Sequence, residues 1–205
     1  MRLNPVELLL VNNPVRDLLL GQTMSWLHDA ACAPSLGSVL EVGCGQGSGV
    51  QAITDQFRPR AIDAFDVDPA QVARADARRG NLAGKGTTLR LWVGDAERIP
   101  VADGSYDAVF ELAVLHHLPD WRAALAEIER VLRPGGLFLF EELSLEFFTD
   151  IPIVSTLIRR FTDHPWSTMF DFADLRAALD RTGLRITALR SHILPGWHRG
   201  VAVRA

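Results

Sequence analysis

Cysteine is scarce in this sequence. Only Cys32 and Cys44 occur in 205 residues, with no repeated pair spacing, so neither a disulfide framework nor a zinc knuckle is indicated. No apolar run approaches the roughly 20 residues that a membrane helix needs. No charged-then-apolar leader stands at the N-terminus. The expected setting is therefore a reducing cytoplasm, without a membrane span. Positive charge is not in surplus: the formal net charge is -4, which argues against nucleic acid as a partner, because nucleic acid demands a basic face. Repeats, low-complexity tracts and linkers are also missing.

What is present suits a globular chain. Hydrophobic residues make up 48% and charged residues 22%, the balance of a folded domain. The length fits one domain able to bury a large core without staples. Its expected parts are an N-terminal helical cap (1–37), a core (38–143), an insert (144–170) that would cover a substrate, and a C-terminal helix and hairpin (171–205). Helices are predicted over 4–31, started by Asn4-Pro5 and broken or kinked by Pro14. Others are predicted over 47–57, 69–79 with Asp68 as N-cap, 121–132 and 170–182. Strands are predicted over 38–42, 60–66, 88–93, 106–112 and 136–143. LRITALRS and RGVAVRA fit a closing antiparallel hairpin. Strand and helix in alternation predict an α/β, doubly wound, Rossmann-like sheet with parallel strands and helices on both faces.

The first strand runs into VLEVGCGQGSGV (39–50). In such sheets ligands lie beyond the carboxyl ends of the strands, and glycines there let the backbone approach a ligand. No Gly-Lys-Ser/Thr follows, so this is not a Walker loop. The dinucleotide pattern G-x-G-x-x-G fails too: its third glycine falls on Ser48 or Val50. What stands is G-x-G-x-G at Gly43, Gly45 and Gly47. Asp66 ends the second strand, where a carboxylate takes both ribose hydroxyls. Asp95 ends the third, within reach of an adenine edge. The three features together describe a nucleoside site with no dedicated cation for a phosphate, which best fits an adenosine carrying something else.

Five blocks, VLEVGCGQG, FDVDP, GDAERIPVADGSYDAVF, LHHL and VLRPGG, resemble the class I S-adenosylmethionine-dependent methyltransferases in the same order, from about Val39 to Leu143. The resemblance is closest to the branch acting on small molecules. It implies a seven-stranded sheet with the last strand antiparallel, and S-adenosylmethionine as cofactor, leaving as S-adenosylhomocysteine. Carried over by position, Glu41 and the run Gly43, Cys44, Gly45, Gln46 and Gly47 face the methionine end. Asp66 is the ribose acid, Val67 packs on adenine, and Asp95 with Ala96 meets the adenine amine. Glu111 and Leu112 fall beneath the sulfonium. Glu111 departs from the family, where a small or neutral polar residue is commoner.

Methyl transfer from a sulfonium needs no protein nucleophile, and positioning supplies much of the acceleration. An acceptor hydroxyl or acidic carbon must also lose a proton. His116 and His117 follow the fourth strand and are the catalytic candidates, with an intrinsic pKa suited to the task. No third ligand stands at helpful spacing beside them, so no metal site is expected. Glu141 and Glu142 end the fifth strand and should point to opposite faces. Phe147, Phe148, Phe161, Trp166 and Phe170 make the insert aromatic. Most of Leu8, Leu9, Leu10, Leu18, Leu19 and Leu20 should pack on the domain. The expectation is a monomer or homodimer that methylates oxygen or carbon of an apolar or aromatic metabolite. The rivals are a cofactor-binding protein without transferase activity, an RNA or protein methyltransferase, and a nicotinamide dehydrogenase. The second lacks an Asn/Asp-Pro-Pro-Tyr clamp, and the third lacks its last glycine.

Overall fold

The computed structural model describes residues 14–32, 36–80, 86–150, 156, 160, 166, 168–192 and 194–205. The predicted helix over 4–13, with Leu8, Leu9 and Leu10, lies outside them, as do Phe161 and most of the insert. Strands β1 (Ser38–Val42), β2 (Ala61–Asp66), β3 (Thr88–Val93), β4 (Tyr106–Leu112), β5 (Leu132–Leu143), β6 (Leu184–Ser191) and β7 (Trp197–Arg204) form one sheet. Their order is β3-β2-β1-β4-β5-β7-β6. β7 runs antiparallel to both neighbours, and the other pairings are parallel. The order reverses between β1 and β4, and such a switch point leaves a crevice at the strand ends.

Helices α1 (Pro14–Ala31), α2 (Ser48–Phe57), α3 (Pro69–Ala77), α4 (Trp121–Val131), α5 (Leu145–Thr149) and α6 (Phe172–Arg181) surround the sheet. The described residues begin at Pro14, so the expected break or kink there lies outside them, and α1 runs on from it to Ala31. In α1, Leu20, Met24 and Leu27 are buried with Thr23, a stripe at helical spacing. Leu18 lies off that stripe and is 66% exposed. Asp68 and Asp120 cap α3 and α4, accepting from Ala70 N–H and Ala123 N–H at 3.0 Å each. The expected closing hairpin is present, with β6 joined to β7 through residues 192–196.

β5 begins earlier than predicted. It starts at Leu132, paired with Tyr106, and passes through Pro134-Gly135-Gly136 with a register shift between Tyr106 and Ala108. Two apolar layers result. One sheet face, with Val42, Val109, Phe138 and Phe140, packs against α4 and α6. The other, with Val39, Ala64, Phe110 and Leu139, packs against α1 and α2. No helix among the described residues is long and apolar enough to cross a membrane.

Candidate active site

The end of β1 turns on glycine for two separate reasons. Gly43 has φ +71°, and a Cβ there would sit 2.5 Å from a methyl carbon of Val114. Gly45 has φ +51°, but a Cβ would meet no atom within 4 Å, so only its left-handed backbone favours glycine. The loop is tied to β2: Cys44 N–H donates to the Phe65 carbonyl at 2.8 Å. Gly45 N–H donates to Asp66 Oδ2 at 2.9 Å, and Asp68 N–H to Asp66 Oδ1 at 2.9 Å. Each carboxylate oxygen thus spends one of its two acceptor sites on backbone and keeps the other. At the end of β3, Asp95 Oδ1 accepts from Glu97 N–H at 3.0 Å, an Asx turn. Ala96 is buried beside it, while Val67 is 43% exposed.

These strand ends enclose a cleft of about 350 Å³. Glu41, Gly43, Cys44, Gly45, Gln46, Asp66, Val67, Asp95, Ala96, Leu112 and His117 all line it. Glu41 is 2% exposed. A Cβ on Gly49 would fall 1.8 Å from Glu41 Oε1, so α2 can pass only because that residue has no side chain. Glu41 Oε2 is buried and has no hydrogen-bond partner among the described residues. Burial, and then the nearby Asp66, push the Glu41 carboxyl well above the ordinary range. An orphaned carboxylate oxygen on a cleft wall is a place for a donor, best of all a cationic one.

Three expected contacts fall outside the cleft lining. Gly47 heads α2, and a Cβ on it would meet Ala75 at 3.3 Å. Glu111 is turned away by strand alternation: Glu41 pairs with Phe110 and Val42 with Glu111, so the two acids occupy opposite faces. Glu111 Oε1 instead accepts from Val114 N–H at 2.5 Å and Leu115 N–H at 3.3 Å. It thereby pins a loop in which Ala113 has φ +66°. His116 is 3% exposed, and its Nδ1 pairs with Glu142. Its ring lies 4.1 Å from that of His117 and 5.6 Å from that of Phe148. Burial raises Glu142 to about 8. Burial, with Glu142 nearby, holds Glu111 well above the ordinary carboxylate range.

Sequence reasoning missed Arg16. It lines the cleft, and its guanidinium pairs with Glu141 at 2.8 Å. The signal was spacing: Arg16, Leu20, Thr23 and Leu27 share one helical stripe, which places a cation on the buried face of α1.

A family profile described as a methyltransferase domain matches residues 40–140. With the 3-2-1-4-5-7-6 strand order, this decides the family. Those residues make a methyltransferase domain. A fatty-acid O-methyltransferase of Mycolicibacterium smegmatis is 38% identical over 114 residues, which is 56% of this chain and 39% of that one. A phthiotriol/phenolphthiotriol dimycocerosates methyltransferase of Mycobacterium tuberculosis is 37% identical over 118 residues, 57% of this chain and 42% of that one. The chain therefore spans about two fifths of the length of those relatives. Among solved structures, a SAM-dependent methyltransferase from Aquifex aeolicus superposes with a TM-score of 0.74 at 18% identity, covering 100% of both chains. A geranyl diphosphate methyltransferase in complex with SAM gives 0.70 at 14% identity, covering 95% of this chain and 92% of that one.

Proposed function

We propose that the chain binds S-adenosylmethionine in this cleft and methylates an apolar small molecule. When bound, the cofactor supplies a methyl group already activated on a sulfonium, so no protein nucleophile is required. The cleft residues fit it. The orphaned Glu41 oxygen suits the ammonium, Asp66 the two ribose hydroxyls, Val67 the adenine face, and Asp95 with Ala96 the adenine amine. The observation that carries the reading is that the glycine loop, Asp66 and Asp95 line a single cleft although they come from the ends of three strands.

His117, on the cleft wall, and His116 behind it are the candidates to take a proton from an acceptor hydroxyl or acidic carbon. The acceptor is apolar on two supports. Phe148 has ring contacts with His116, Phe147 and Trp166, an aromatic wall beside the histidines. The relatives named above act, by their names, on fatty acids and phthiotriol dimycocerosates, and a neighbour in fold acts on geranyl diphosphate. Asp66→Ala should weaken S-adenosylhomocysteine binding by more than about tenfold, the scale of one lost charge-assisted contact. Titration calorimetry checks this, and unchanged affinity would refute the assignment.

A further inference from the structure

The β6 edge of the sheet gathers positive charge on the side that α1 covers. Antiparallel pairing aligns Leu137 with Val203 and Arg185, Leu139 with Val201 and Ala188, and Glu141 with Arg199 and Arg190. Leu139 and Val201 belong to the α1 and α2 layer, and Ala188 packs on it, so all three rows face that way. Arg185 and Arg190 stand an odd number of positions apart, and simple alternation would send them to opposite faces. The register shift between Ile186 and Ala188 changes the parity and brings both to one face, as a β-bulge does.

Arg190 and Arg199 are direct cross-strand partners, and like charges so placed repel. Arg185 and Arg190 are exposed and make no ion pair among the described residues. Burial, and then the charge of Arg190, disfavour the Arg199 cation, while Glu141 favours it. That carboxylate already accepts from Arg16 and Thr23. Arginines on an edge strand discourage strand addition, but Arg199 lies on an inner strand, where that role is void. Its guanidinium sits 5.7 Å from the ring centroid of Trp26 on α1. Two turns earlier on the same helix, Leu18 is 66% exposed, and the exposed Gly21, Gln22 and Ser25 between them carry no charge. We propose that this face, with Arg185, Arg190 and Arg199 beside Trp26 and Leu18, docks the protein on a bilayer that contains acidic lipids. Lipid phosphate and carboxylate oxygens between Arg190 and Arg199 relieve their repulsion. Trp26 suits the depth of the headgroups and Leu18 the acyl boundary. A second copy of the chain is a poor occupant, because pairing two such edges sets arginine against arginine across a bulge. The docking is independent of the cofactor reading. It bears on the apolar acceptor proposed above, since such a molecule partitions into a bilayer.

The test is co-sedimentation with sucrose-loaded vesicles, equimolar phosphatidylcholine and phosphatidylserine against phosphatidylcholine alone. The expected result is binding at least about tenfold tighter to the acidic vesicles, weakening as salt rises. Arg185→Gln combined with Arg190→Gln should cost about tenfold or more on the acidic vesicles. Arg185→Lys combined with Arg190→Lys keeps both charges and should retain most of the binding. Leu18→Ser should give a smaller loss. Three results would each overturn the proposal: no vesicle binding, equal binding to the two compositions, or acidic-vesicle binding unchanged in the glutamine variant. Capture on immobilised poly-glutamate that needs both arginines, without vesicle binding, would overturn it in favour of an acidic protein partner. Affinity for S-adenosylhomocysteine is the separate readout, and it should be the same in wild type and glutamine variant. A wild type that bound none would sink the cofactor reading and leave the docking standing.

Discussion

Glu141 and Glu142 are consecutive, equally buried and chemically identical, yet they live on opposite sides of the sheet. Glu141 meets an arginine and a hydroxyl from α1. Glu142 meets His116 and lies near a second carboxyl, Glu111. One neighbourhood supplies a guanidinium and the other an imidazole beside a second carboxyl, and buried charge is tolerated only where it is paired. Glu141 is accordingly a fixed anchor for a helix over the cleft. Glu142 is a place where a proton is held near neutral pH. A one-residue step along a strand is enough to turn a structural ion pair into a titrating site.

The largest expected effect tests the Glu142 side. Its folded pKa of about 8 lies above the ordinary 4.5. Between those values the folded chain holds more protons than the unfolded chain, so this group makes stability fall as pH rises from about 4.5 to about 8. Glu142→Gln cannot ionise and should abolish that decline, gaining on the order of a few kcal/mol over the wild type at alkaline pH relative to pH 5. Urea unfolding at the two pH values measures it. A variant with the wild-type slope would show that the burial of Glu142 is not what sets its titration. A smaller effect sharpens the Glu141 side. Thr23→Val removes one donor from a carboxylate that keeps Arg16, and should cost about 1–2 kcal/mol of stability by the same measurement. A neutral result would mean that the hydroxyl contributes nothing to holding α1.

The strand-end part of the cleft was readable in the sequence because its parts are local. Each of Gly43, Asp66 and Asp95 stands where an apolar strand run ends, and strand alternation with helix signals is enough to locate those points. The other end depends on contacts between distant segments. Thr23 and Glu141 are 118 residues apart, and no local pattern joins them. Glu111 shows the limit most clearly. Its position at a strand end was legible, but not that its carboxyl would fold back onto the N–H groups of Val114 and Leu115. That outcome follows from which face the side chain takes and from a loop with two adjacent donors to satisfy. His116 behaves likewise: adjacent to His117 in sequence, it lies behind it, held by Glu142.

The most direct measurement is a crystal structure with S-adenosylhomocysteine bound. The account predicts ligand density across the ends of β1, β2 and β3, with both ribose hydroxyls on Asp66 and the amino-acid end toward Glu41. Density lying elsewhere, or a ribose out of reach of Asp66, would contradict it.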